Sequence, residues 1–303
     1  MLYLLIAIMV LAWSFNFIVA KRTLEEVPPL TLLFLRVLLS NVILLALYIG
    51  RRWRQQRRAA GDPSASLRVI PEIHQDDWKW FALIGLFGVA GNQTGFTVGL
   101  HYTTVAHSSL IISLTPILVL LLATRMKLEI FTPMKVVGML LSFSGVAVLV
   151  SEHGFDMHSA SFSGDLITFA GSVCFALYTV YGKKVADRYD TLSLNTYTYL
   201  FGGSIVFLFT GREAFSLNLM TLSWKGWLGA LYMAAIASVL AYMIFYYALG
   251  KISASRLVAF SYLQPVLATL LSVLLLGDKV TTHLLVGGAL VLVGVALAER
   301  GRA

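Results

Sequence analysis

Long apolar runs recur along this chain, each parted from the next by a short polar gap. A helix rises ~1.5 Å per residue, so about 20 mostly apolar residues cross a hydrocarbon layer of ~30 Å. By that measure the pattern predicts about ten membrane spans, over 2–20, 30–49, 78–100, 108–128, 134–150, 166–183, 192–209, 226–249, 254–276 and 284–298. The runs are continuous and lack the alternation of barrel strands, so the predicted class is all-α and polytopic. Leu2 to Ala20 has neither a basic leader nor a small-residue cleavage site, and it reads as a retained first span.

The gaps give the orientation, because Lys and Arg stay on the cytoplasmic side. The gap at 50–77 holds RRWRQQRR (Arg51 to Arg58) and Arg68, which places it inside. The other inside gaps hold Arg125 and Lys127, then KKVADR (Lys183 to Arg188), then Lys251 and Arg256, and the tail holds Arg300 and Arg302. Gaps assigned outside, His101 to His107 and Ser151 to Asp165, contain no Lys or Arg. Both termini are therefore expected in the cytoplasm, with Lys21, Arg22, Arg212, Lys225 and Lys279 as exceptions. The basic loop could also grip anionic headgroups, although a topology signal accounts for it.

Sliding the chain by 149 positions lays HYTTVAHSSLIISLTPILVLLLATRMKLE (His101 to Glu129) on GKISASRLVAFSYLQPVLATLLSVLLLGD (Gly250 to Asp278) without a gap. Pro116 then meets Pro265, Leu100 meets Leu249, Glu129 meets Asp278, and Gly145 to Ala147 meets Gly294 to Ala296. A weaker match, offset by 163, sets AWSFNFIVAK (Ala12 to Lys21) over FALYTVYGKK (Phe175 to Lys184). Two five-span repeats are thus expected, over 1–150 and 165–300. Five is odd, so the second repeat enters the membrane from the opposite side, as in transporters built from inverted halves. Each proline removes a backbone hydrogen bond and frees carbonyls that lipid cannot satisfy. Pro116 and Pro265 are expected either to be hinges of broken helices around a shared site or to be packing kinks.

The chain resembles the EamA-type family of the drug/metabolite transporter superfamily. The resemblance rests on Ala12 to Arg36, the two proline-bearing spans, the acid that ends each (Glu129 and Asp278), and GMLLSFSGVAVL (Gly138 to Leu149) with GGALVLVGVAL (Gly287 to Leu297). It implies a ten-helix carrier, often an exporter of amino acids or other small metabolites, with a central cavity lined by spans 1, 3, 4, 6, 8 and 9. It does not fix the cargo.

One charge, Arg36, lies well within a span. Burying it costs a few kcal/mol unless it is paired or wetted. It is a candidate partner for a substrate carboxylate, and equally a structural cation that snorkels or ties helix ends, the role favoured here because the matching family position is usually basic. Every Asp, Glu and His falls in a gap or at a span edge. Proton coupling would have to use edge residues such as His101, His107 or Asp165, and facilitated diffusion or exchange fits better.

The candidate binding surface is uncharged. Trp13 and Asn16 share a face of span 1, and Asn92 and Gln93 lie near the middle of span 3, where an unpaired amide is costly. Tyr178, Tyr242, Tyr246, Tyr262 and Gln264 add rings and an amide in spans 6, 8 and 9. Such a lining suits a neutral or zwitterionic solute with a flat side, although some of these groups only join helices. Gly88, Gly91, Gly95 and Gly99 form a packing stripe, and Trp224 and Trp227 are interface anchors.

Composition narrows the class. Of 303 residues 58% are hydrophobic and 13% charged, with a mean hydropathy of +0.80, which belongs to a membrane protein. The net charge of +8 sits in the cytoplasmic gaps, so nucleic acid is not the expected partner. A single Cys174 offers no disulfide framework and no cysteine metal site. No nucleophile cluster, acid/base pair or GxxxxGK[ST] loop is present, which argues against an enzyme or an ATP-driven pump. His101, His107, His153 and His158 could form at most a weak outer metal site. The expected protein is a plasma-membrane secondary transporter, in the export direction, for small neutral or zwitterionic metabolites such as amino acids. It works without a cofactor, with a small solute and the lipid bilayer as partners. An exporter of drugs or cationic amphiphiles, or a channel, remains the alternative.

Overall fold

The computed structural model describes residues 1–61, 73–130, 132–151, 162–216, 222–276 and 281–301, and every regular element in these is a helix. Arg68, His153, His158, Asp278, Lys279 and Arg302 lie outside the described residues. Among them, seven helices are long and apolar enough to cross a membrane: 2–23, 29–57, 75–102, 107–125, 162–183, 191–215 and 224–249. Two shorter apolar helices cover 133–148 and 282–298. The remaining expected span, 254–276, is not one helix: it breaks into α12 (Ala254–Ala259), a 3-10 turn (Phe260–Tyr262) and α13 (Leu263–Leu276).

The first proline span is broken in the same place. α5 (Val105–Ile112) stops, Ser113 and Leu114 turn, and α6 (Thr115–Arg125) starts with Pro116 in its first turn. Pro265 likewise stands in the first turn of α13. A proline is cheap there, because the first N–H groups of a helix have no internal partner to lose.

Two other spans are interrupted by π-helix, which no residue type announces. Between α3 (Trp78–Ile84) and α4 (Asn92–Tyr102) lies a π segment, Gly85–Gly91; between α10 (Trp224–Tyr232) and α11 (Ala241–Leu249) lies another, Met233–Leu240. A π turn widens the helix and leaves carbonyls open to other donors.

The basic run after the second span is helical. α2 covers Pro29–Gly61, 33 residues, about 50 Å at 1.5 Å per residue, so it continues well past a bilayer core. Arg51 of this extension bonds Asp190 at 2.7 Å, and Arg57 lies 3.6 Å from the Trp53 ring centre.

Lys21, at the end of α1 (Leu2–Thr23), is not a stray topology charge. Its Nζ donates to the carbonyls of Leu100 and Thr103, both at 3.0 Å, at the C-terminal end of α4. Lys183, at the end of α8 (Phe162–Lys183), donates to Leu249 and Ile252 at 2.6 and 3.3 Å, past the end of α11. In both cases an ammonium satisfies carbonyls that a helix end leaves orphaned and meets the negative end of its dipole.

The most extensive helix contact joins α7 (Pro133–Ser151) to α14 (Thr282–Arg300). A Cβ on Gly138 would strike the Gly294 carbonyl at 2.6 Å, and one on Gly145 would strike the Gly287 carbonyl at 2.7 Å. Between those points Ser142 Oγ donates to the Val291 carbonyl at 3.4 Å across 149 residues. Glycine is needed here because the two backbones touch.

Candidate functional site

A cavity of about 80 Å³ lies among the helices, several times the roughly 10–15 Å³ that one water occupies. α1 contributes Met9, Trp13, Asn16 and Phe17, and α2 contributes Arg36. Asn92 and Phe96 come from α4, Ser172 and Phe175 from α8, and Tyr242 and Phe245 from α11. The broken spans complete the wall: Ile112 and Thr115 flank the turn before Pro116, while Leu257, Val258 and Gln264 flank the 3-10 turn before Pro265 and Ser261 lies within it. Asn92 follows directly on the first π segment, and Tyr242 is the second residue after the other. All four interrupted helices therefore reach this one cavity.

Of the residues singled out from the sequence, Trp13, Asn16, Arg36, Asn92, Tyr242 and Gln264 line the cavity. Gln93, Tyr178, Tyr246 and Tyr262 lie behind its wall, each almost completely buried. Gln93 Nε2 donates to the Tyr199 hydroxyl at 2.5 Å. Tyr178 stacks on Phe245 with centroids 5.7 Å apart, and Tyr246 OH lies 3.5 Å from Thr198 Oγ1. Tyr262 packs in a separate apolar cluster with Val266 and Val291.

The wall is organised by a few directed bonds. Trp13 Nε1 donates to the Ala237 carbonyl inside the π segment at 3.0 Å, and Tyr232 OH donates to the Ala12 carbonyl at 2.9 Å. These two bonds tie α1 to the interrupted span. Tyr242 OH donates to Asn92 Oδ1 at 3.0 Å, and Asn92 Nδ2 donates to the Gly171 carbonyl at 3.2 Å, which orients the amide. The Trp13 ring meets Phe175, Tyr242 and Phe245 at centroid distances of 5.9, 5.5 and 5.9 Å.

Arg36 is the one charged lining residue and is only 3% exposed. Its Nε donates to Ser238 Oγ at 2.8 Å, and its Cζ lies 5.8 Å from the Phe96 ring centre. Its Nη1 is buried without a partner, and so is Asn16 Oδ1. No carboxylate lines the cavity among the described residues.

The acids sit at the ends of the bundle. Asp165 accepts from Thr103 Oγ1 at 2.5 Å and lies 3.2 Å from His107 Nδ1. Glu129 accepts from Ser255 N at 2.9 Å and Lys135 Nζ at 3.0 Å, and also from Ser255 Oγ. Asp77 accepts from Arg188 Nη1 at 2.9 Å and Tyr189 OH at 2.8 Å. Tyr189 lies outside the spans, and burial above all raises its pKa from 10, with the Asp77 carboxylate adding to the rise. His101 faces Tyr102 instead, and no group of three or more His, Cys, Asp or Glu assembles among the described residues.

Sequence reasoning missed Phe17, Phe96, Phe175 and Phe245, because a phenylalanine within an apolar run carries no polarity signal. It also missed Ser238, whose position opposite Arg36 depends on the π segment.

Residues 1–151 and 162–299 match the profile of the EamA-like transporter family. An uncharacterized transporter of Archaeoglobus fulgidus is 29% identical over 296 residues, 97% of this chain and 96% of that protein. The uncharacterized transporter YyaM of Bacillus subtilis is 32% identical over 225 residues, 72% of each chain. A protein of Streptantibioticus cattleyicolor named "Probable terminal-alkyne amino-acid exporter" is 26% identical over 224 residues, 74% of each. A crystal structure of a protein matches with a TM-score of 0.74 at 22% identity, covering 97% of this chain and 95% of the other, which is a likeness of fold.

Proposed function

We propose, because this chain belongs to the EamA-like transporter family, that it is a secondary carrier of small amphipathic metabolites of the amino-acid kind. The observation that carries this reading is the convergence of four interrupted helices on one cavity with an aromatic wall and a single buried cation. Broken backbone at membrane depth is tolerated where it faces protein or a cavity, and transporter sites are built there. Rings hold the flat side of a solute, and Arg36 takes its carboxylate.

The full arrangement proposed is ten spans in two inverted halves that rock about the cavity, with both termini in the cytoplasm and the chain in the plasma membrane. Several features support it. The carbonyls capped by the two lysines, Leu100 with Thr103 and Leu249 with Ile252, are related by the same offset as Pro116 and Pro265, although Lys21 and Lys183 themselves are not. The π segments are related by that offset to within a residue. The contacts of Gly138 with Gly294 and of Gly145 with Gly287 are each other's counterparts under it. Export is the proposed direction, in keeping with the name of the Streptantibioticus relative. A cationic cargo gains nothing from a wall whose one charge is Arg36.

Counterflow in proteoliposomes tests the reading. Vesicles preloaded with unlabelled amino acids are expected to accumulate labelled solute transiently and saturably. Flux that rises linearly with concentration and ignores internal solute would make the protein a channel.

A further inference from the structure

The charge inventory of the cavity bears on which carboxylates it prefers. Arg36 is buried with Nη1 unpartnered, and none of the described lining residues is acidic. The side-chain acceptors that could receive an ammonium are all neutral. Asn92 Oδ1 already accepts from Tyr242 OH, Asn16 Oδ1 is buried without a partner, and Gln264 brings a further neutral amide. The serine hydroxyls of the wall donate to backbone, Ser172 to Thr168 O and Ser261 to Val258 O, and offer only neutral oxygens.

From this inventory we infer that the site discriminates by net charge and takes an aromatic or branched apolar monocarboxylate in preference to the corresponding amino acid. The inference rests on the carrier reading above and deepens it. A monoanion on Arg36 leaves the occupied cavity neutral. A zwitterion adds an ammonium that must shed its water for neutral oxygens alone, and a lone amine faces Arg36 with no counterion. Burying an ion is tolerated when it is paired and costly when it is not. The rings of Trp13, Phe96, Phe175 and Phe245 receive the apolar part.

Three compounds with one phenyl group separate the cases: 3-phenylpropanoate, phenylalanine and phenethylamine, titrated at neutral pH against the purified full-length protein by calorimetry. 3-Phenylpropanoate is expected to bind about tenfold or more tighter than phenylalanine, with phenethylamine weakest. Arg36→Gln removes the advantage of the anion and lets phenethylamine draw level, while Arg36→Lys keeps the order with a smaller gap. Phenylalanine binding as tightly as 3-phenylpropanoate overturns the inference, as does an unchanged order in Arg36→Gln. If Arg36→Gln does not fold, the wild-type order and Arg36→Lys decide it. Phenylalanine bound best and exchanged in counterflow leaves the carrier standing and removes only the charge preference. No binding and no exchange by any of the three removes both.

Discussion

The indole of Trp13 donates to the carbonyl of Ala237 at 3.0 Å, a bond that joins the first helix to the π-helical turn of a span 224 residues later. The ring beneath that bond faces Phe175, Tyr242 and Phe245. One side chain thus both closes an open backbone group and shapes the cavity. Trp13→Phe keeps an aromatic wall but leaves the Ala237 carbonyl without this donor. The expected cost is about 1–3 kcal/mol, read as a lower melting temperature in detergent, and Trp13→Ala should cost more.

The two lysine caps make a matched pair of predictions. Lys21→Met and Lys183→Met each strip an ammonium from two carbonyls, so each should lose about 1–3 kcal/mol and shift the melting temperature by similar amounts. An effect confined to one of them would mean that the other cap is not made in the membrane. Lys21→Met should leave the orientation of the chain unchanged in a cysteine-labelling assay.

The α7 and α14 crossing tolerates no added carbon. Gly138→Val and Gly145→Val should abolish monodisperse protein in size exclusion, because backbone would have to separate from backbone. Gly288→Ala on α14 is the control, since its added Cβ would meet only Val266 Cγ1 at an ordinary 3.7 Å.

Transport should depend on the oriented amide. Asn92→Ala breaks the Tyr242 bond and the anchor to Gly171, and together with Gln264→Ala it is expected to weaken solute binding about tenfold while expression stays normal. Binding unchanged in both variants would place the solute elsewhere.

Tyr189 gives a pH prediction. Burial and the Asp77 bond raise its pKa above 10, so the folded protein holds the proton more tightly than the unfolded chain. Its contribution is fully present below pH ~10 and is lost as pH climbs through the raised value. Melting temperatures from pH 8 to 11 should fall more steeply for wild type than for Tyr189→Phe. Parallel curves would show that the hydroxyl is not held this way.

The apolar runs made most of the fold legible, because membrane spans are set by length and hydropathy. Pro265 left open whether its span breaks or only kinks, and its division into α12, a 3-10 turn and α13 was not legible. The π segments were invisible, since Gly85–Gly91 and Met233–Leu240 read as ordinary apolar helix. That gap bears on which of the expected residues line the cavity. Trp13, Asn16, Asn92 and Tyr242 announce themselves as polar groups in apolar surroundings, but so do Tyr178 and Tyr246, which face the neighbouring helices. Of these, Asn92, Tyr242 and Tyr246 follow a π turn, whose rotation bears on which of them reaches the cavity, whereas Trp13, Asn16 and Tyr178 stand on the uninterrupted α1 and α8. Lys21, an exception to the expected charge pattern, has its ammonium spent on carbonyls, a role that pattern does not register.

The cap made by Lys21 has a mechanical consequence. Only Thr103 and Thr104 separate α4 from α5, and the ammonium pins that corner from α1. A corner so short and so fastened behaves as a stiff elbow, so tilt in α4 passes undamped into α5. The compliance of the span is then concentrated at Ser113 and Leu114, beside the place where a solute would rest.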